Sequence, residues 1–335
     1  MNVRPRLLHV SALVGASLVV LAVGILVTLP QPVVGIPEPS VVVRTGIPLL
    51  RWVANVSAIG AVGAVLVSVL LGAAGRDRAP ALARRASAAA ASAAAMWAVA
   101  AVLGLWFNAA ELSLRQLWLP VGGVLDYGRD VSLGVALLTS AGSAGALTAY
   151  SVARLRRPSL SPALGLLIAL PGLTAVSMSG HASQAATPWL VMTASALHVT
   201  GAALWVGGLA ITSLIVAADR QALAVVLPRF SHVAGASFAI VGASGLLLAA
   251  ARLTGEVTPS LGEAVDALTQ TPAGWLVMGK LACIVLLGCS GAYIRSAIVG
   301  RVARQQPTPL TAWAGLELAV MAVAVSLATA LGRPL

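Results

Sequence analysis

The chain has 335 residues, of which 59% are hydrophobic and only 9% charged, against roughly 25% charged in an ordinary globular domain. So few charges cannot cover a water-exposed surface, which excludes a soluble enzyme and points to a polytopic membrane protein. The net charge of +11, from 21 Lys+Arg against 10 Asp+Glu, would suggest nucleic acid in a soluble chain; in a membrane protein the question is which loops hold it.

Nine windows are apolar over the roughly 20 residues needed to cross about 30 Å of hydrocarbon. They are 7–29, 48–72, 87–108, 131–153, 161–178, 188–216, 228–251, 273–297 and 309–331. The first follows Arg4 and Arg6, but its apolar run is longer than the core of a secretory signal, so it reads as a retained span. Prolines 30, 32, 37 and 39 break the chain after it. The third window holds an alanine-rich stretch, 86–95, whose small side chains permit close helix contact. The connections 109–130 and 252–272 are long enough for short interfacial helices, and Trp118 and Tyr127 in the first suit an aromatic belt. The fifth window is interrupted by Pro162 and Pro171; without it the count falls to eight. The expected fold is all-α, a membrane helix bundle of nine spans.

Basic residues set the orientation. With the N-terminus inside and the C-terminus outside, the cytoplasmic segments hold 14 of the 21 Lys+Arg, including Arg76, Arg78, Arg84, Arg85, Arg154, Arg156 and Arg157. The outer loops hold seven of the ten acids. The charge excess is thus a topology signal. Gly274, Gly279 and Lys280 match the start of a phosphate loop, but Leu281 replaces the required Ser or Thr and the segment is apolar, so no nucleotide site is expected. Gly207–Gly208 and Gly242–Gly245 read as helix-packing positions. Cys283 and Cys289 read as small packing residues in one span.

Ionisable groups inside a bilayer are costly, so each is a functional candidate. They are His9, His198, His232, Lys280 and Glu317, with His181 at the outer mouth between spans five and six. At 1.5 Å per residue these groups recur through the whole thickness, and nearly all lie in spans six to nine. Lys280 and Glu317 differ in estimated depth by about 8 Å, within reach of an ion pair, either structural or displaced by a passing ion. His198 opens a face continued by Gly201, Ala202, Trp205 and Leu209, where the two small residues leave room beside an imidazole. Met178 and His181 are three apart, and Met192 lies one to two turns above His198; thioether plus imidazole suits copper, above all Cu(I).

Gly180–His181–Ala182, Leu197–His198, the run Ala202 to Leu209, Arg229–Phe230–Ser231, Gly274–Trp275 with Lys280, and Glu317 resemble, in order and spacing, the copper resistance protein D family (CopD, also PcoD). The resemblance covers roughly 175–332; the first five spans share only hydropathy with the family. Ala273 stands where family members often have tyrosine. The chain divides on this basis into a five-span region, 1–178, and a CopD-like four-span region, 179–335.

The resemblance implies a copper-handling protein of the bacterial inner (cytoplasmic) membrane. The expected function is a permease, not an enzyme, taking copper ion from an outer-side donor protein, with no nucleotide and no nucleic acid. In that reading His181, Met178, Met192 and His198 are metal ligands, and Trp205, His232, Lys280 and Glu317 line the path. Two rivals stand beside it: a haem-binding redox protein ligated by His181 and His198, and a scaffold or assembly factor for a respiratory cytochrome oxidase complex.

Overall fold

The computed structural model describes residues 39–113, 118–179, 187–306, 308 and 310–331, and every regular element among them is helical. We number the helices α1 (Val41–Arg78), α2 (Pro80–Leu112), α3 (Val121–Asp130), α4 (Ser132–Arg156), α5 (Pro162–Met178), α6 (Pro188–Val216), α7 (Arg220–Thr254), α8 (Leu261–Gln270), α9 (Pro272–Ala303) and α10 (Leu310–Leu331). Six of them, α1, α2, α4, α6, α7 and α9, are long and apolar enough to cross a membrane; α5 and Ala312–Leu327 of α10 are shorter apolar helices. The eight windows from 48 to 331 therefore coincide with helices. The window 7–29, with His9, lies outside the described residues, as does His181.

Both connections expected to carry short helices do so, as α3 and α8. The second begins with a capping box in which the Ser260 hydroxyl accepts from the Glu263 N–H while the Glu263 carboxylate accepts from the Ser260 N–H. Trp118 stands 91% exposed, as a belt residue would, but Tyr127 does not share that role. It is buried with Val43, Leu105 and Val124 where α3 folds over the ends of α1 and α2. Burial, and secondarily the nearby Glu111 charge, push its phenol up to about 12.

The core gathers around α1, where Val62, Val65, Leu66, Val67 and Leu71 are all nearly inaccessible. Ala86, Ala90 and Ala94 recur every four residues on one buried stripe of α2, so the alanine-rich stretch does serve close packing. Against the other side of α1 lies α6. Gly63 and Gly207 meet backbone to backbone, and a Cβ on either would strike the other's main chain. Gly208 likewise admits the Phe230 ring of α7.

Two prolines and one glycine are handled by neighbours. Pro162 sits at the start of α5, where its missing N–H costs nothing. Pro171 lies inside the helix, and in the turn before it the carbonyl of Ile168 accepts from the Ser143 hydroxyl of α4. The fifth window is thus a single helix in spite of its prolines. In α1, Gly72 adopts φ 68°, ψ 176°, which breaks the ladder. The carbonyls just before the break accept from guanidinium groups, Ser68 from Arg76 (3.2 Å) and Leu70 from Arg229 (2.6 Å). Arg229 thus serves the break in α1 rather than the end of its own helix.

Candidate functional site

The site is built where α7 runs antiparallel to both α6 and α9. Asp219 caps α7, its carboxylate accepting from the Gln221 and Ala222 N–H groups at 3.0 Å each, and Gly255 at φ 77° ends it. These caps fix the two ends of α7. His198 then faces Ser244 and Gly245, Gly201 faces Val241, and Trp205 meets Phe238 edge to face with ring centroids 5.5 Å apart. Phe238 in turn packs on Gly288 of α9, which places the level of Ser244 close to residues 280–283 of α9.

The His198 imidazole is anchored through one ring nitrogen. Its Nδ1 lies 3.1 Å from Ser244 Oγ, and Ser244 uses its own hydrogen on the Ile240 carbonyl at 2.5 Å. With the serine hydrogen committed, Oγ accepts and Nδ1 is the protonated nitrogen. The lone pair therefore resides on Nε2, which is the arrangement a metal-ligating histidine takes when its other nitrogen is anchored. Room for the ring comes from Gly245, where a Cβ would sit 3.2 Å from Cε1, and not from Gly201 or Ala202. Gly201 instead lets α7 approach. Just below, α6 continues through a π-turn at Ala203–Gly207 that contains Trp205; such turns are frequent at functional sites.

Lys280 of α9 lies close enough for its charge to act on both the His198 ring and the Cys283 thiol, one turn further along α9. Cys283 is buried.

The expected pairing of Lys280 with Glu317 does not form. Helices α9 and α10 are in register through Tyr293 on Trp313 (4.6 Å between centroids), Gly291 on Glu317 and Gly279 on Leu327. Lys280 therefore lies level with Leu327, ten residues or about 15 Å along α10 from Glu317. Glu317 is 5% exposed, with Oε1 3.8 Å from where a Cβ on Gly291 would sit. The Ser290 hydroxyl is its polar neighbour, but no bond of good geometry joins them: Ser290 Oγ and Glu317 Oε1 both lack a partner among the described residues. His232 is exposed on α7, twelve residues or about 18 Å from the level of Ser244. Met178 ends α5, and Met192 lies half-buried in α6. Among the described residues no group of three or more His, Cys, Asp or Glu side chains forms a ready-made metal cage.

Residues 224–331, spanning α7 to α10, match the family model for copper resistance protein D, CopD. The match takes in Ser244, Lys280, Cys283 and Glu317, while His198 and Trp205 of α6 precede it. No curated protein and no solved structure matches the chain.

Proposed function

We propose, from the match of residues 224–331 to the CopD family model, that this is a copper-handling membrane protein of that family which passes copper across the bacterial inner membrane. The direction is inward, without a catalysed reaction. The observation that carries the reading is the half-buried His198 within α6, whose Nδ1 is anchored on Ser244 of α7, so that Nε2 is the nitrogen left to bind a cation. Copper is the cargo, and the imidazole is its nitrogen ligand. Cys283, reached from the other side, offers the soft sulfur that Cu(I) prefers. Met178 and Met192, with His181 of the preceding segment, receive copper at the outer end from a donor protein.

Lys280 opposes a cation at this point, so its ammonium acts as a gate rather than a ligand. A copper ion gains occupancy only as the long side chain swings aside toward the interface. Beyond the gate, Glu317 supplies a carboxylate near the inner half of α10, and His232 lies further along. A site with few ligands suits transit, because an ion held by a full cage would not leave.

Copper accumulation in cells expressing the chain tests this reading. His198→Ala is expected to bring uptake down to the level of cells without the protein, while Cys289→Ala is expected to leave it unchanged. Uptake by His198→Ala equal to wild type would remove the residue from the path.

A further inference from the structure

Glu317 stands apart from the His198 site. It lies within the apolar stretch Ala312–Leu327 and on the buried stripe of α10, between Ala314 and Met321, which are 0% and 1% exposed. Those two residues join the core cluster that holds Ile211 of α6 and Leu287 and Ile294 of α9. The spacing of three and four puts the carboxyl on the same face, so it points into the bundle and not into lipid. Beside it on α9 are Gly291, whose missing Cβ leaves the space that Oε1 borders, and the Ser290 hydroxyl.

A carboxylate at this depth needs a cation or several donors, and neither is present among the described residues. Oε1 and Ser290 Oγ are both buried without a partner. Lys280 lies about 15 Å away along the helices. Of the other groups on α9, Arg295 lays its guanidinium against Gly235 of α7, Tyr293 stacks on Trp313, and Cys289 is exposed. The part of α6 that packs on α10, Gly208–Ile211, carries no titratable side chain, and α1 carries none from Trp52 to Gly75. On α7, Arg229 donates to the Leu70 carbonyl and His232 is exposed. An ionised carboxylate buried without a partner is costly, and taking up a proton removes that cost. The neutral acid also gains an O–H to donate, and Ser290 Oγ is the acceptor at hand.

We propose that Glu317 is a proton-binding site within the membrane, loaded in the resting protein and emptied when a cation passes the inner half of α10. The acid gives its proton to water, and the carboxylate left behind balances the charge of the cation. Only the O–H bond is broken. The second half of the proposal rests on the copper reading above, and it makes copper passage depend on the ionisation of one group.

Infrared spectroscopy of the purified full-length chain without copper tests the site itself. At about pH 8 exposed carboxylates are ionised, so a carboxylic-acid C=O stretch reports a buried acid alone. Wild type is expected to show one such band and Glu317→Gln none. Ser290→Ala, expected to shift the band, serves should Glu317→Gln fail to fold. No band in wild type, or a band unchanged in Glu317→Gln or in Ser290→Ala, would overturn the proposal. Copper uptake into vesicles at equal inner and outer pH tests the link to transport. The wild-type rate is expected to rise with pH, by up to about tenfold per unit, the mass-action limit for one proton. In Glu317→Gln it is expected to be slow and flat with pH. A Glu317→Gln rate as fast and as pH-dependent as that of wild type would overturn the link. Wild-type vesicles that take up no copper while the band stands would instead remove the copper reading and uphold the proton site.

Discussion

In the most apolar stretch of α1, 67% of the residues are buried against other helices, whereas the corresponding stretches of α7 and α9 reach 17% and 22%. The first region is sealed by small residues: the Gly63–Gly207 contact and the alanine stripe of α2 let backbones touch. The second turns large side chains outward, Leu246, Val285 and Leu286 each more than half exposed, as lipid-facing helices do. What little the second region buries is therefore informative. Beside apolar residues such as Val241, Val277 and Leu287 it buries Ser244, Cys283 and Glu317, with the half-buried Lys280 and His198 next to them. The first region is the more tightly packed of the two, and the second carries the intramembrane ionisable groups.

If that division is right, substitutions in the two regions must fail differently. The largest effect is expected at the seam between them. Gly207→Leu drives a side chain into the Ile59 carbonyl and should cost about 3 kcal/mol or more, read as lost thermal stability in detergent. Next come two changes that should leave stability nearly untouched and move copper affinity in opposite senses. Lys280→Gln removes a like charge beside the site; at an effective dielectric of about 20 such a repulsion is worth roughly 1–2 kcal/mol, so Cu(I) should bind about tenfold more tightly. Ser244→Ala frees Nδ1 from its anchor and should weaken binding about tenfold. If both variants lost stability instead, the C-terminal polar groups would be structural.

Arg229→Ala should cost about 1–2 kcal/mol by leaving the Leu70 carbonyl at the kink of α1 without its donor, with copper affinity unchanged. The smallest effect concerns α3. The Tyr127 phenol is raised from 10.0 to about 12, so folding favours its protonated form. Its contribution is complete below pH 10 and is lost as pH rises from 10 through 12. Amide exchange in α3 should quicken over that window in wild type and much less in Tyr127→Phe.

Much of the fold was legible in hydropathy, because only 9% of residues are charged and the windows between charges are long. The windows placed eight helices and anticipated α3 and α8. They misjudged some extents: α1 begins at Val41 rather than at 48, while the window's end at 72 falls on the Gly72 break. The same error misplaced the Lys280–Glu317 pair. Depth counted from window ends gave about 8 Å, whereas the packing of Gly279 on Leu327 and Gly291 on Glu317 gives about 15 Å. His198 was legible as a rare ionisable group in a span. Its anchor was not: Ser244 and Gly245 looked like ordinary small residues, and only the antiparallel register of α6 and α7 brings them to the ring. Cys283 read as packing, and it is buried.

The most direct test is Cu(I) binding to the purified full-length chain, wild type beside His198→Ala, by competition with a chromophoric chelator. Wild type should retain one copper per chain, and His198→Ala should lose affinity by about 100-fold or more while eluting as the same folded species. Equal stoichiometry and affinity in the two proteins would contradict the assignment of His198 as the copper ligand.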